Sequence, residues 1–351
     1  MVERTELQEM NNSDIGLIPE YMTDITDKIE LTMEQVMLLV SQEHSEQEAL
    51  DLIRKYCLQS TSVDVQKKGL EFLYMNGFYQ DLEILIAKNR ESLFDANRKW
   101  AEVYQIMLDR RKRKYPMWEL RRRLGNIQSP DPELTCLIEL SIVDTYNSEL
   151  EFGMIGNFLE KQQQLFDQIE DNFILTSFNL RLYQKLFMYY WKRNELIMAR
   201  KYAFRALNQT NSPHTKVGLN INLSLTYTFE TYYQAMYHLK EALKISKANN
   251  MTKMIHSIEQ RNMPFIAAHF KRTTGVSSTD ISEQAHIEIA RGNNEKAITL
   301  LEDIYHTSPF RMYYMGLAKQ DKNILSESCS MFVERSDYFF SRLPMNAIKN
   351  L

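Results

Sequence analysis

The sequence contains few of the residues that build disulfide frameworks, metal clusters or membrane anchors. Only three of its 351 residues are cysteine. They lie far apart, at Cys57, Cys136 and Cys329, which excludes a disulfide framework or a metal-binding cluster of cysteines and is typical of a reducing cytoplasm. The N-terminal stretch MVERTELQEMNNSD is acidic and has no apolar core, so it does not resemble a signal peptide. No apolar run approaches the ~20 residues that a membrane-spanning helix needs.

Glycine and proline are also scarce, with 10 and 8 residues, so few breaks interrupt the predicted helices. No segment shows sustained alternation of apolar and polar residues between turns, and we therefore expect no β-sheet. The length suits either two or three domains or one solenoid, and the 44% hydrophobic and 25% charged residues are ordinary for a globular chain. The sequence predicts an all-α protein.

An internal repeat lies in residues 194–243. One side of a predicted helix carries Ala199, Tyr202, Ala206 and Leu207, and the same offsets are repeated 36 positions later by Ala235, His238, Ala242 and Leu243. Small side chains at these offsets let two helices approach closely, and a period in the thirties is typical of stacked helical hairpins. Degenerate copies of such hairpins are predicted for the rest of the chain.

Capping signals mark helix boundaries outside this repeat. Capping boxes begin at Thr32 and Ser45, Gly77 is predicted as a left-handed helix end, and Pro132 as a first-turn proline. Further along, the periodicity predicts helices or hairpins at 173–190, 195–208, 216–228, 230–247, from after Asn250 to about Phe270, 280–305 and 310–332.

Catalytic and metal-binding patterns are missing or incomplete in the sequence. It contains no glycine-rich phosphate loop, nucleophile elbow or zinc-protease helix. Glu283 and His286 have the spacing with which one helix offers two ligands to a metal, but such sites need a second copy and further carboxylates, so a structural role for His286 is favoured. We predict no enzyme activity, no catalytic residues, no metal site and no cofactor.

Charge is distributed unevenly, although the net charge is only −4. Residues 1–50 carry twelve carboxylates against Arg4 and Lys28, whereas a basic cluster occupies residues 110–123 and consists of Arg110, Arg111, Lys112, Arg113, Lys114, Arg121, Arg122 and Arg123. On a helix, Arg110, Arg113 and Lys114 would share a face. Two interpretations stay open: a patch for nucleic acid or an acidic partner, with Tyr115 and Trp118 stacking on bases, or a solvated face that pairs with the acidic N-terminal segment. The acidic net charge favours the second.

Three stretches carry a family pattern: Asn194 to Asn211, Ser282 to His286, and Ser336 to Pro344, with weaker similarity from about Gln35 onwards. In these stretches the chain resembles the arbitrium peptide receptors, the AimR family of Bacillus phages and prophages. The resemblance implies a right-handed superhelix of tetratricopeptide-like hairpins in the cytoplasm of a bacterial host cell. It further implies a short communication peptide bound in the concave groove, DNA binding through an N-terminal helix-turn-helix, and a homodimer formed partly by a C-terminal helix.

The chain departs from that pattern at both ends and in the groove. Residues 1–31 are predicted as a short acidic segment with a reduced or absent helix-turn-helix, residues 32–351 as the repeat domain, and the C-terminal dimer helix as cut short. Polar residues that hold the peptide in the family align with Met188, Lys192, His214 and Leu225, whereas Asp337 and Phe339 match the pattern. The predicted peptide-binding residues are these six.

Each of these positions also has a simpler interpretation. Asp337 receives a cationic group of the peptide or else caps the turn after Ser336, and Met188 and Leu225 line the groove or else pack in the core. The resulting hypothesis is a phage or prophage regulator that receives a peptide and controls lysis–lysogeny gene expression. The alternative is a divergent relative that does not bind DNA and acts, like the Rap regulators, on another protein. The partners expected for this chain are therefore a short oligopeptide, either DNA or a regulatory protein, and a second copy of the chain. No membrane is expected.

Overall fold

The computed structural model describes residues 31–302 and 308–351, and every regular element in these ranges is helical. The prediction of an all-α chain without a sheet is thus confirmed for the described residues. None of the described helices is both long enough and apolar enough to cross a bilayer. The predicted acidic segment at 1–31 lies, apart from Leu31, outside the described residues.

The first compact unit comprises the described residues up to Ser141 together with Gln164–Ser177. It contains six complete helices and parts of three more. The complete helices are α1 (Met33–Glu43), α2 (Glu46–Gln59), α3 (Val63–Asn76), α4 (Tyr79–Arg90), α5 (Asp95–Arg111) and α6 (Met117–Gly125). The partial ones are the start of α7 (Pro132–Ser148), the end of α8 (Ile155–Phe166) and the start of α9 (Asn172–Lys192).

The helix ends predicted in this part of the chain are confirmed. The side chains of Thr32 and Ser45 accept from the backbone of the third helical residue, whose own side chain accepts from the cap backbone, so both capping boxes form. Gly77 ends α3 with a φ of 82°, where a side chain on Cα would be strained. Pro132 is the first residue of α7, where its missing N–H leaves no helical bond unmade.

The second compact unit comprises Ile142–Gln163 and Phe178–Leu351. It contains the end of α7, a 3-10 turn at Phe152–Met154, most of α8 (Ile155–Phe166) and of α9 (Asn172–Lys192), and then α10 (Leu196–Gln209), α11 (Pro213–Thr226), α12 (Tyr232–Ala248), α13 (Thr252–Ser257), α14 (Met263–His269), α15 (Ile281–Ala290), α16 (Asn294–Glu302), α17 (Pro309–Lys319), α18 (Lys322–Glu334) and α19 (Arg342–Asn350).

The repeat found in the sequence is the packing pattern of α10 and α12. Ala199, Ala206, Ala235 and Ala242 are all fully buried in one hydrophobic core. A larger side chain at any of them would overfill that core, which explains why the repeat is marked by alanine.

The long helix predicted from after Asn250 to about Phe270 differs from the structure in one respect. The segment consists of α13, a π-helical turn at Ile258–Asn262, and α14. Pro264 has no N–H to give to a preceding carbonyl, and its ring crowds the carbonyl four residues earlier, so the helix widens before it. The hydroxyl of Ser278 donates to the carbonyl of Gln260 in this turn.

Candidate functional site

A cavity of about 430 Å³ lies inside the second unit. Its lining comes from the end of α7, the 3-10 turn, α9, α11, the π-helical turn, α14, α15, α17 and the segment before α19, and consists of Asn147, Leu150, Phe152, Met188, Trp191, Lys192, Asn222, Leu225, Arg261, Asn262, Phe265, Glu283, Phe310 and Phe340. The volume falls in the range of small-molecule and short-peptide sites.

Aromatic rings form much of the cavity wall. The ring centroids of Trp191 and Phe340 are 5.7 Å apart, those of Phe310 and Phe340 5.0 Å, and those of Phe265 and Phe310 5.8 Å, all in edge-to-face geometry. Such contacts stabilise the wall beyond the burial of area alone, and they give the cavity apolar sides.

Four buried polar atoms of the lining residues make no hydrogen bond within the described chain. They are Oδ1 of Asn147, Nε1 of Trp191, Oδ1 of Asn262 and Oε2 of Glu283. A buried polar atom without a partner costs roughly 1–3 kcal/mol, and folded proteins keep few of them. Four such atoms belong to residues that line one cavity, which therefore combines apolar walls with polar groups whose hydrogen bonds are unmade.

The π-helical turn and the start of α15 hold two of these groups in place. Asp280 caps α15 by accepting from the N–H groups of Ser282 and Glu283, which puts Glu283 in the first helical turn. The guanidinium of Arg261 donates to the same Asp280 across 3.0 Å. Arg261 and Asn262 therefore reach the cavity from the widened turn, and Glu283 from the helix tied to it.

Glu283 also contacts the aromatic groups behind it. Its Oε1 accepts from the hydroxyl of Tyr314 at 3.2 Å, and the imidazole of His286 stacks on that ring at 4.3 Å. The distance from His286 Nδ1 to Glu283 Oε2 is 3.6 Å, too long for a hydrogen bond. No group of three or more potential ligands for a metal occurs in residues 31–302 and 308–351.

A buried ion pair forms one end of the cavity. Lys192 Nζ donates to Asp337 Oδ2 at 2.7 Å, and rings of Phe152, Trp191 and Phe340 lie 4.1 to 4.7 Å from the ammonium. Burial lowers the pKa of Lys192 below its ordinary value, and the charge of Asp337 opposes that shift. Because its carboxylate also accepts from the N–H of Phe340 at 3.1 Å, Asp337 is fully engaged.

The structure brings together some of the six predicted peptide-binding residues. Met188, Lys192 and Leu225 line the cavity. Asp337 and Phe339 are buried next to it, and the N–H of Phe339 donates to the carbonyl of Lys192. His214 is the second residue of α11, about 16 Å along the helix axis from Leu225, and does not line the cavity.

The sequence does not single out several of the groups that the cavity uses. Asn147, Trp191 and Asn262 are absent from the prediction, and Glu283 enters it only as half of a Glu-x-x-His pattern. Pro264 lies inside a predicted long helix, where a proline indicates an irregular turn just before it. This signal could have pointed to Asn262.

The basic cluster at 110–123 lies in the first unit. Its predicted helical face is wrong: α5 ends at Arg111, and Arg113 adopts a left-handed conformation with φ of 52°. The N–H groups of Arg113 and Lys114 turn back onto the carbonyls of Arg110 and Asp109, which closes the helix before Pro116.

Many cations of this cluster already have partners. Lys112 pairs with Glu83, Arg122 with Glu119, Lys114 and Arg123 with the buried Asp109, Arg110 with the hydroxyl of Tyr74, and Arg111 with the ring of Tyr79. Trp118 is 60% exposed beside them. The cluster is thus substantially compensated inside the first unit.

Comparison with known proteins places these observations in a family. The profile described as AimR transcriptional regulator-like matches residues 49–350. The AimR transcriptional regulator of Bacillus phage SPbeta is 24% identical over 317 residues, with 86% of this chain and 80% of that protein covered. That of Bacillus phage phi3T is 22% identical over 316 residues, covering 86% and 81%.

The solved structures agree in fold. One described as the structure of phAimR-Ligand superimposes with a TM-score of 0.79 at 20% identity, covering 92% of this chain and 98% of that one. A second, of SeMet-phAimR, gives 0.68 at 19% identity, covering 91% and 85%. Since the family profile covers most of its length, this chain belongs to the AimR transcriptional regulator-like family.

Proposed function

We propose that this chain is an arbitrium-type transcriptional regulator whose activity is set by a short peptide bound in the cavity of the second unit. The observation that carries the proposal is a cavity with aromatic walls whose lining residues carry four buried polar atoms without a hydrogen bond. Family membership supports the regulatory role, and one solved relative is described as phAimR together with a ligand.

The unpartnered atoms define what the ligand must offer. Asn147 Oδ1, Asn262 Oδ1 and Glu283 Oε2 are acceptors, and Trp191 Nε1 is a donor. A ligand that satisfies them supplies at least three N–H groups and one carbonyl. A peptide has this inventory along its backbone, and its apolar side chains fit against the rings.

The charges around the cavity favour a cationic group in that peptide. Lys192 and Arg261 are each paired with an aspartate, whereas Glu283 keeps a buried carboxylate oxygen without a hydrogen bond. A charged hydrogen bond to Glu283 would recover the cost of burying that oxygen. An ammonium or guanidinium of the peptide is the group that fits.

The six predicted residues take different roles in this proposal. Met188 and Leu225 provide apolar contact from the wall. Lys192, Asp337 and Phe339 support the wall through their ion pair and backbone bond and do not need to be freed for binding. His214 lies outside the peptide site.

Calorimetry on matched acid variants tests the peptide site. Short synthetic peptides with free termini are first selected on the wild-type protein by affinity mass spectrometry, and the enriched peptide is titrated into wild type, Glu283→Gln and Glu327→Gln. Both variants lose one carboxylate, but Glu327 is exposed on α18 and outside the cavity. We expect Glu283→Gln to weaken binding about ten- to a hundredfold and Glu327→Gln to leave it unchanged.

Two results would contradict the proposal. If no peptide is enriched by folded wild-type protein, the sensing role fails. If the enriched peptide binds Glu283→Gln as tightly as wild type, the cavity is not its site.

Transcription control also requires contact with DNA or with a protein of the transcription machinery. The basic cluster at 110–123 stays a prediction as such a patch, with Arg113, Lys114 and Trp118 exposed. The homodimer and the cytoplasmic location likewise stay predictions.

A further inference from the structure

A positively charged surface distinct from the basic cluster lies in the second unit. It is formed by one side of α10 and one side of α12 and is called here the α10–α12 face. Its residues are Ile197, Lys201, Phe204, Tyr233, Tyr237, Lys240 and Lys244.

The repeat explains why these residues share a surface. The members on α12 stand at offsets of 0, 4, 7 and 11 from Tyr233, and those on α10 at 0, 4 and 7 from Ile197, so each set follows one side of its helix. Ile197 and Tyr233 are one 36-residue period apart. The rings of Phe204 and His238 are 6.1 Å apart, which places the two helices side by side.

The cations of this face have no carboxylate partner in the described chain. Lys201, Lys240 and Lys244 are exposed and take part in none of the ion pairs that the described residues form. Lys240 and Lys244 stand four residues apart on one helix, where like charges repel. Lys244 lies at one end of the face and Tyr233 at the other. Next to Tyr233, the exposed guanidinium of Arg272 lies 4.7 Å from the centre of its ring.

Exposed rings lie between these cations. Tyr233 and Tyr237 are 70% and 59% exposed, and Phe204 is exposed beside them, as is Ile197. Tyr233 and Lys244 span about 16 Å along α12. Flat rings interleaved with unpaired cations over such a length are the features with which proteins bind single-stranded nucleic acid.

We propose that the α10–α12 face, together with Arg272 beside it, binds single-stranded nucleic acid, with Lys201, Lys240, Lys244 and Arg272 contacting phosphates and Tyr233 and Tyr237 stacking on bases. The choice of nucleic acid rests on the proposed role in transcription; the surface itself rests on the charges and rings. Lysine is depleted in protein–protein interfaces, which favours a polyanion over an acidic protein. The basic cluster at 110–123 is the weaker phosphate surface because carboxylates already neutralise much of it.

Fluorescence anisotropy with a labelled oligothymidine of about 20 nucleotides, and with the same strand in a duplex, tests the proposal. Wild type should bind the single strand at about 50 mM salt, and the duplex more weakly because its bases are already stacked. Lys240→Ala/Lys244→Ala should lower the slope of log K against log salt by about 1.4, the value for two single-strand phosphate contacts. Tyr233→Ala/Tyr237→Ala should weaken binding about tenfold or more and leave the slope unchanged.

Two further variants locate the contact. Lys253→Ala/Lys322→Ala removes the same net charge from exposed positions elsewhere in the second unit and should bind like wild type. Arg111→Ala/Lys114→Ala, in the basic cluster of the first unit, should retain most of the affinity. Thermal unfolding confirms that each variant is folded.

Several outcomes overturn the proposal. These are no binding of the single strand by wild type, an equal loss in Lys253→Ala/Lys322→Ala, loss only in Arg111→Ala/Lys114→Ala, or no effect of removing the rings. Competition by polyglutamate as effective as that by unlabelled oligothymidine would assign the face to an acidic protein. Since no arm contains a peptide, failure here is distinct from failure of the peptide site.

Discussion

Replacing Asp337 with asparagine should leave a buried ammonium at the edge of the cavity without its counter-charge. The change is nearly isosteric, and the new side chain can still accept from the N–H of Phe340 as Asp337 does at 3.1 Å. It therefore removes the charge of the pair with Lys192 and little else. The pair joins the end of α9 to the segment before α19, 145 residues further along the chain.

The expected cost follows from the burial of both partners, whose side chains are each 7% exposed. Removing one member of a buried ion pair typically costs about 3–5 kcal/mol, because the other is left charged in a poorly polar site. Three ring faces around Lys192 recover part of this loss, so we expect about 3 kcal/mol. Lys192→Met should cost a similar amount, and the double variant clearly less than the sum, with about 2 kcal/mol of coupling.

The loss should also depend on pH. Burial already lowers the pKa of Lys192, and without the carboxylate it falls further. The unfolded chain then binds more protons than the folded variant up to about pH 10.4, so stability of Asp337→Asn should rise with pH in that window. The deficit relative to wild type should shrink as the pH rises above the pKa of Lys192 in the folded variant, because Lys192 in the folded wild type keeps its proton to a higher pH.

The loss of stability is measured by hydrogen exchange with mass spectrometry. This method suits a chain with two compact units because it reports the opening free energy of α9 and of residues 336–343 separately from that of the first unit. Arg193→Met is the control, since its pair with Glu195 is about half exposed and should be worth less than about 1 kcal/mol. A change below about 1 kcal/mol in Asp337→Asn at neutral pH, or strict additivity in the double variant, would refute the reasoning.

Two further predictions concern a partly buried histidine and a buried lysine. Burial, and secondarily the charge of His286, lowers the pKa of His269 to about 4. Because the unfolded chain binds this proton near pH 6.5, the free energy of unfolding of the wild type should fall by up to about 3 kcal/mol between pH 6.5 and 4. In urea unfolding, His269→Gln should lack this part of the pH dependence. Equal slopes of stability against pH in the two proteins would contradict the prediction. In the first unit, Lys68 is buried within 2.7 to 2.9 Å of Glu34, Asp64 and Asp171. Lys68→Met should lower the stability of that unit by about 3–5 kcal/mol, whereas Lys112→Met, at an exposed position, should lower it by less than about 1 kcal/mol. Similar losses in the two variants would show that the three carboxylates do not need Lys68.

Local rules account for the elements that were predicted correctly. Thr32, Ser45 and Gly77 each act through hydrogen bonds to residues at most four positions away, and Pro132 acts through its missing N–H, so their roles can be read from the local sequence. The buried alanines of α10 and α12 follow in the same way from helical periodicity.

Two local expectations were wrong for a shared reason. The run from Arg110 to Lys114 looked helical because its residues have good helix propensity, and residues 251–270 looked like one helix because their periodicity continues. In both places a proline follows, and Pro116 and Pro264 end or widen the preceding turn. Backbone hydrogen bonding overrides side-chain preference there.

The candidate site could be predicted only in part. Met188, Lys192 and Leu225 were placed through the family resemblance, and they line the cavity. The sequence leaves Asp337 open to a ligand or to a capping role. In the structure its Oδ1 accepts from the N–H of Phe340 in the following turn, and its Oδ2 is paired with Lys192, 145 residues away.

The sequence by itself determined the helices, their buried faces and the family, because these depend on periodicity and on short-range hydrogen bonds. Only the tertiary structure decided which charges are compensated and which polar atoms have no partner. Glu283 keeps an unpartnered oxygen, Lys192 has a counter-ion, and Lys240 and Lys244 have none, although all four are ordinary charged residues in the sequence. The physical reason is that pairing depends on which distant segments the fold brings within about 3–4 Å of each charge, and periodicity does not record that distance.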